Sequence, residues 1–156
     1  MDKKFDITIV SMQKLQTAAE LRECNEITAK YGLSLSEQQI QSLVEKRFEA
    51  LKDTGRIEFG QGILKKLITE FCDSPYIMQE NYEDTILELQ DSFYYFKNES
   101  NDLLSDDEII SFMKLHFDGV CQGSLDYLRD MTLEDLCRRT RYGKNDDDTD
   151  IYGRPF

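Results

Sequence analysis

Signals that begin and end helices recur along almost the whole sequence, and they constrain the fold more than any other feature. Ser36 and Ser105 each stand three residues before a Gln or Glu, the spacing of a capping box that bonds the first free amides of a helix. Gly32 and Gly55 follow stretches with helical apolar spacing, and glycine ends helices because it readily adopts a left-handed conformation. The pattern predicts a chain built from helices.

The predicted helices follow one another with short loops between them. The first begins at a capping box at Thr17 and ends before Gly32, whereas residues 6–16 are ambiguous because their apolar residues alternate as in a strand. The last helix begins at a similar cap at Thr132 and ends at about Arg141. The helices between them are expected at about 36–54, 63–71, 82–98, 105–118 and 123–128.

Length and composition favour one domain with one core. The chain has 156 residues, of which 40% are apolar and 11% aromatic, enough to fill the core of a single domain. We therefore predict an all-α, single-domain, irregular bundle of six to seven helices over residues 1–143, ambiguous from the start to about residue 16. The fourth helix should lie near the centre because its apolar arc is wide. Residues 144–156 are predicted to be a polar, acidic C-terminal tail.

The cysteines and the first residues of the chain indicate a cytoplasmic protein. Cys24, Cys72, Cys121 and Cys137 are too far apart to form the Cys-x-x-Cys motif of zinc and redox sites. Free thiols of this kind are typical of a reducing compartment. The first apolar run is short and interrupted, which predicts neither a signal peptide nor a membrane span.

Negative charge is concentrated in the second half of the chain. The 31 acidic and 19 basic residues give a net charge of -12. Residues 73–135 hold sixteen of the acidic residues and only three basic ones, a net charge of −13. Coulomb repulsion disfavours nucleic acid and anionic membranes as partners of this half, whereas a basic protein would be attracted to it. A solvated surface that keeps the protein soluble is the alternative explanation.

Four successive aromatic residues at 93–96 form the best candidate for a partner-binding surface. Four such residues sweep about 300° around a helix, so they cannot all enter one core. Tyr94 falls beside the main apolar stripe, and Tyr95 points away, toward a second packing partner or another protein. Glu88 and Asp91 on the same helix would add carboxylates to this surface. A central helix packed on all sides explains the run equally well.

His116 is the only histidine, so any imidazole chemistry of this chain must use it. It falls on the apolar face of the fifth helix near Asp118, where it could be a general base or a hydrogen-bonded core residue. Cys72 could pair with it, but Cys72 follows the end of the third helix, where the helix dipole disfavours a thiolate. No nucleophile with a recognisable spacing accompanies these candidates, so the sequence names no catalytic residue.

The acidic stretches do not match a calcium site. Read as an EF-hand from Asn98, the loop has Leu103 where glycine is required and Ile109 where a bidentate glutamate is required. The acidic run at 146–150 has Ile151 in place of the glycine. We therefore expect neither a metal ion nor a cofactor.

Four short stretches of the chain are familiar in combination. They are YGLSL at 31–35, FCDSPY at 71–76, FYYFKNES at 93–100 and HFDG at 116–119. Together they resemble a small bacterial family, found mainly in anaerobic Gram-positive species, that is described only as a domain of unknown function. The likeness covers roughly residues 20–140. It implies a bacterial cytoplasmic protein and assigns no catalytic or binding residue.

Three hypotheses about function follow from these patterns. The first is a non-enzymatic protein-interaction module with an apolar patch around Tyr94 or Tyr95. Its partner would be a basic protein, a protein that accepts aromatic side chains, or a second copy of the chain itself. The second is an inhibitor that imitates nucleic acid through carboxylates on the fourth helix. The third is a small enzyme that uses His116 in a cleft beside a second polar group.

Overall fold

The computed structural model describes the backbone of residues 3–56 and 62–142, and within these ranges the side chains from residue 10 onward. All regular structure in these residues is helical, which confirms the predicted all-α, single-domain bundle. The predicted tail at 144–156 lies outside the described residues. In chain order the helices are α1 (Lys3–Thr28), α2 (Glu37–Thr54), α3 (Ile63–Phe71), α4 (Tyr82–Glu99), α5 (Asp106–Asp118), α6 (Leu125–Tyr127) and α7 (Glu134–Arg141).

The predicted helix caps between α1 and α5 are confirmed. The Ser36 hydroxyl accepts a hydrogen bond from the Gln39 amide at 3.1 Å, and the Gln39 side chain accepts one from the Ser36 amide at 2.9 Å. The same pair of bonds begins α5 at Ser105. Gly32 and Gly55 have φ angles of 78° and 68°, the left-handed conformation that ends a helix.

The prediction that the first helix begins at Thr17 is wrong, because α1 begins at Lys3 and continues through this position. The Thr17 hydroxyl donates to the Gln13 carbonyl at 3.0 Å and accepts from the buried Arg47 guanidinium at 3.1 Å. A threonine that bonds the carbonyl one turn earlier fits a helix interior. Residues 6–16, whose alternation is ambiguous in the sequence, are helical as well.

The predicted helix start at Thr132 is also wrong. A π-helix at Leu128–Leu133 joins α6 to α7, so that residues 125–141 form one continuous helix, called the α6–α7 helix below. The Thr132 hydroxyl donates to the Leu128 carbonyl at 2.8 Å instead of capping a new helix. π-helical turns are rare and often occur at functional sites.

The central position of α4 agrees with its wide apolar arc. This helix packs against α2, α3, α5 and α7. Burial of each large apolar side chain contributes roughly 1.5–3 kcal/mol. The most deeply buried aromatic and aliphatic side chains on α4 are Tyr82, Ile86, Leu89, Phe93, Tyr94 and Phe96.

Polar contacts fix the C-terminal end of α5 against the turn that follows α3. The Ser74 hydroxyl donates to the Asp118 carboxylate at 2.6 Å. The Lys114 ammonium lies 2.6 Å from Asp73 and 3.2 Å from Asp118. These contacts set the position of α5 relative to α3.

A second set of contacts fixes α7 to α4. The Arg141 guanidinium donates to the Glu99 carboxylate at 3.0 Å and to the Glu99 backbone carbonyl at 3.1 Å. The Cys137 thiol donates to the Phe96 carbonyl at 3.4 Å. Both α5 and α7 pack against α4, and a cleft lies between the outer faces of α5 and of the α6–α7 helix.

Candidate functional site

The cleft between α5 and the α6–α7 helix has a volume of about 760 Å³, within the range of ligand and partner pockets. On each helix the lining residues are largely three or four positions apart, which places them on one face. From α5 and the turn after it, the lining residues are Phe112, Leu115, His116, Gly119 and Val120. From the α6–α7 helix they are Tyr127, Asp130, Met131, Thr132, Glu134, Asp135, Arg138 and Arg139.

Four apolar side chains are exposed around this one cleft. The exposed fractions are 60% for Leu115, 59% for Val120, 42% for Tyr127 and 56% for Met131. Single exposed apolar residues are normal on a protein surface, but a contiguous group of them marks an interaction site. The cleft therefore offers an apolar contact surface on both of its walls.

His116 lies half-buried in the cleft, with its ring stacked on Phe112 at a centroid distance of 4.0 Å. Its Nδ1 atom is 3.0 Å from the Phe112 carbonyl oxygen. Since a carbonyl only accepts hydrogen bonds, Nδ1 carries the proton and Nε2 retains a lone pair. In neutral His116, Nε2 is thus an acceptor for a donor group of a bound molecule.

Most of the charged residues of the cleft are paired with one another. Arg138 and Arg139 both contact the Asp135 carboxylate. Asp130 pairs with Arg129 at 3.1 Å. Glu134 is different, because no ion pair in the described part of the chain involves its carboxylate. This carboxylate remains able to pair with a cation of a bound molecule.

The structure does not bring the three catalytic candidates together. Asp118 is two residues from His116, about 200° around the helix, and it bonds Ser74 and Lys114. Cys72 is buried, and its thiol donates to the Thr69 carbonyl. Burial, with a contribution from neighbouring Asp73, raises the pKa of the Cys72 thiol. Neither residue lines the cleft that holds His116.

The two predicted tyrosines differ in their exposure. Tyr94 is 1% exposed and belongs to the core, whereas Tyr95 is 52% exposed. Tyr95 lines a smaller groove of about 480 Å³ between α2 and α4, together with Glu88 and Asp91. Only Tyr95 of the aromatic pair can therefore meet a partner, and its surroundings are acidic.

This α2–α4 groove concentrates negative charge. Glu88 and Asp91 face it from α4, and Asp53 faces it from α2. Partial desolvation in the groove raises the pKa of the Asp91 carboxyl although part of this side chain is exposed, and the nearby Asp53 carboxylate raises it further. A hydrogen bond with the Gln90 side chain and the charge of Lys46 lower it. Arg129 reaches the groove but pairs with aspartates of its own helix. The groove is an acidic surface rather than the apolar patch expected around Tyr94 or Tyr95.

The apolar residues of the cleft do not stand out in the sequence. Leu115 is the informative exception, because it falls outside the buried face of α5 formed by Ile109, Phe112 and Met113. A single apolar residue off the buried face is common on protein surfaces, so Leu115 becomes informative only together with its neighbours in the cleft. Val120 lies in the turn after α5, and Met131 lies in a π-helix, whose period differs from that of an α-helix.

Two further findings bear on the class of protein. In residues 10–56 and 62–142, no group of three or more His, Cys, Asp or Glu side chains is arranged to hold a metal ion. None of the described helices combines the length and apolar character that crossing a bilayer requires.

Comparison with known proteins identifies a family. The family described as Family of unknown function (DUF6323) matches residues 20–146, which confirms the resemblance predicted from the sequence. No curated protein and no solved structure matches the chain. The chain therefore belongs to this family of unknown function.

Proposed function

We propose that this protein is a non-enzymatic, cytoplasmic protein-interaction module that binds its partner in the cleft between α5 and the α6–α7 helix. The observation that carries the proposal is the convergence of Leu115, Val120, Tyr127 and Met131 on one concave surface. A cytoplasmic location is supported by four free cysteines, all buried and none in a disulfide.

The chemistry of the cleft favours binding over catalysis. The Thr132 hydroxyl already donates to a backbone carbonyl, and the Asp135 carboxylate is held by two arginines. A general base needs a reacting group within hydrogen-bond reach, and neither Asp118 nor Cys72 reaches His116. The exposed apolar side chains of the cleft have no such partner among the described residues and can contact a bound protein.

A matched pair of variants tests the proposal. Met131→Asp places a charge among the apolar walls and should abolish capture of the partner from native cells, because the carboxylate would lose its hydration on binding. Leu103→Asp changes an equally exposed apolar residue outside the cleft and should leave capture intact. Circular dichroism checks that both variants are folded. Capture of the same proteins by both variants would refute the proposal.

The acidic α2–α4 groove supports a second candidate, an inhibitor that imitates nucleic acid. Asp84, Glu88 and Asp91 are exposed on one side of α4 at helical spacing, and Asp53 adds a carboxylate from α2. This candidate requires binding to a basic protein, and the affinity of that binding should fall steeply as the salt concentration rises. Neutralising Glu88 and Asp91 together as amides should then abolish that binding, whereas Met131→Asp should leave it unchanged.

A further inference from the structure

We infer that the occupant of the cleft is a basic, amphipathic α-helix of another protein. This inference rests on the proposed function and names the partner that the same site would take.

The shape of the cleft fits a helix. Its two walls are themselves helices, and apolar side chains project from both of them, Leu115 from one and Met131 from the other. From Tyr127 to Arg138 the α6–α7 wall is about 16 Å long at 1.5 Å per residue. A third helix of about three turns can lay one apolar stripe along such a groove.

The backbone around the cleft argues against a peptide that binds as a β-strand. Such a peptide needs a strand edge to bond its amides and carbonyls, and the described residues contain no strand. The cleft walls are helices, whose backbone groups are largely bonded internally. A helix bonds its own backbone amides and carbonyls, so it can enter an apolar groove without leaving these groups unbonded.

The floor of the cleft suits an apolar anchor. Phe112 lines it, and the His116 ring is stacked on Phe112 at 4.0 Å. Phe112 is only 2% exposed, so a leucine, methionine or aromatic side chain from the partner would pack mainly against the half-buried His116 ring. Large anchors in a pocket of this kind supply most of the binding energy of an interface.

Charge favours a basic partner and disfavours a second copy. Glu134 lines the cleft without an ion pair in the described residues, so a lysine or arginine beside the apolar stripe would complement it. A second copy that presented this same face would bring together two halves that each carry −13 between residues 73 and 135. Like charges at an interface slow association and weaken it.

The test uses the full chain and three synthetic peptides of equal length. One has leucines at helical a and d spacing with lysines elsewhere, the second is a scramble of the first, and the third has glutamates in place of the lysines. Binding is measured by fluorescence anisotropy and helix formation by circular dichroism. The first peptide should bind as a helix, at least about tenfold more tightly than either of the others.

Substitutions in the cleft test whether the peptide binds there. Leu115→Ala and Tyr127→Ala should each weaken binding of the first peptide by about tenfold, and Leu103→Ala should not change it. Glu134→Gln should weaken binding two- to fivefold, roughly, and reduce its salt dependence, whereas Glu80→Gln should leave both unchanged. All of these positions are at least partly exposed, so that substitution there leaves the core intact.

Each contrary result has a distinct meaning. Equal binding of the scrambled peptide, or binding unaffected by the cleft variants, would overturn the assignment of a helix to this site. Equal binding of the glutamate peptide would overturn the basic character of the partner. If no peptide binds while Met131→Asp still abolishes capture of the native partner, the helix inference fails and the interaction module stands. If Met131→Asp also leaves capture intact, both proposals fail.

Discussion

At the scale of single residues, Gly123 occupies a position near the cleft where the backbone and a neighbouring side chain both favour glycine. Its φ of +83° lies in the left-handed region, and a Cβ atom there would stand 2.7 Å from the Tyr76 side chain. Gly32 has a similar φ of +78° but has open space around it. Alanine at Gly32 would therefore add backbone strain alone, whereas alanine at Gly123 would add both backbone strain and steric overlap.

Gly123→Ala should destabilise the fold by about 3 kcal/mol, because left-handed strain costs roughly 1 kcal/mol and overpacking about 2 kcal/mol more. Gly32→Ala should cost only the strain, about 1 kcal/mol. Urea unfolding followed by circular dichroism measures both. Equal losses for the two variants would mean that Tyr76 moves aside without cost.

Asp91 gives a residue-scale prediction about pH. Burial raises the pKa of its carboxyl in the folded state, so the folded protein holds this proton more tightly than the unfolded chain does. Ionisation of Asp91 therefore destabilises the fold above the folded pKa, and this penalty vanishes below the unfolded pKa. Asp91→Asn should raise the urea midpoint relative to wild type at pH 7 and have a smaller effect at pH 3. A larger increase of the urea midpoint at pH 3 than at pH 7 would contradict a raised pKa of Asp91.

At the scale of elements, the helices of this bundle begin and end through local bonds. The Ser105 hydroxyl accepts from the Glu108 amide at 3.1 Å, and the Glu108 carboxylate accepts from the Ser105 amide at 2.8 Å. Both bonds join residues three positions apart, so they form as soon as the first turn forms. The stability of α5, one wall of the cleft, therefore depends partly on this cap.

Ser105→Ala removes the cap hydroxyl and should lower the free energy of unfolding by about 1 kcal/mol. Ser111→Ala on the same helix is the matched control, because Ser111 is exposed inside α5 and alanine is the better helix former. The control should leave stability unchanged or raise it slightly in urea unfolding. An equal loss in both variants would show that the hydroxyl does not act as a cap.

At the scale of the whole molecule, one core joins widely separated parts of the chain. Cys24 lies on α1, Cys72 follows α3, Cys121 follows α5 and Cys137 lies on α7, and all four are buried. Burial raises the pKa of each thiol, to about 11 for Cys24 and about 12 for Cys137. All four thiols therefore stay protonated and shielded at neutral pH.

The four thiols should react with a disulfide reagent only when the bundle unfolds. At pH 7 the native protein should show almost no reaction, and in urea all four thiols should become reactive across one transition, because a single domain unfolds as a unit. The matching measurement is the circular dichroism transition in the same urea series. Reaction of one thiol at clearly lower urea would show that its part of the bundle opens independently.

Ion pairs between distant parts of the chain neutralise some of the carboxylates of the acidic half. Arg56 and Lys66 belong to the nearly neutral remainder of the chain, yet they pair with Asp102 and Asp107 of the acidic half. Surface pairs of this kind each contribute about 1 kcal/mol or less. They decide which carboxylates remain without an ion pair in the described residues, and these include Glu134 in the cleft and Glu88 and Asp91 in the α2–α4 groove.

The sequence by itself determined the helical class, the ends of most helices and the family. Ser36, Ser105, Gly32 and Gly55 could be interpreted correctly because caps and left-handed turns depend on residues within one turn of the chain. Thr17 and Thr132 have the same local pattern, yet both lie inside helices, since packing against other helices extends the helix past them.

Only the tertiary structure decided which side chains are exposed to solvent and which residues from different helices lie side by side. Tyr94 and Tyr95 are neighbours in sequence, but other helices cover one and leave the other exposed. His116 is on the predicted helix, but its cleft exists only because the tertiary fold places α5 beside the α6–α7 helix. A cleft is a gap between elements distant in sequence, and no local periodicity encodes the distance between them.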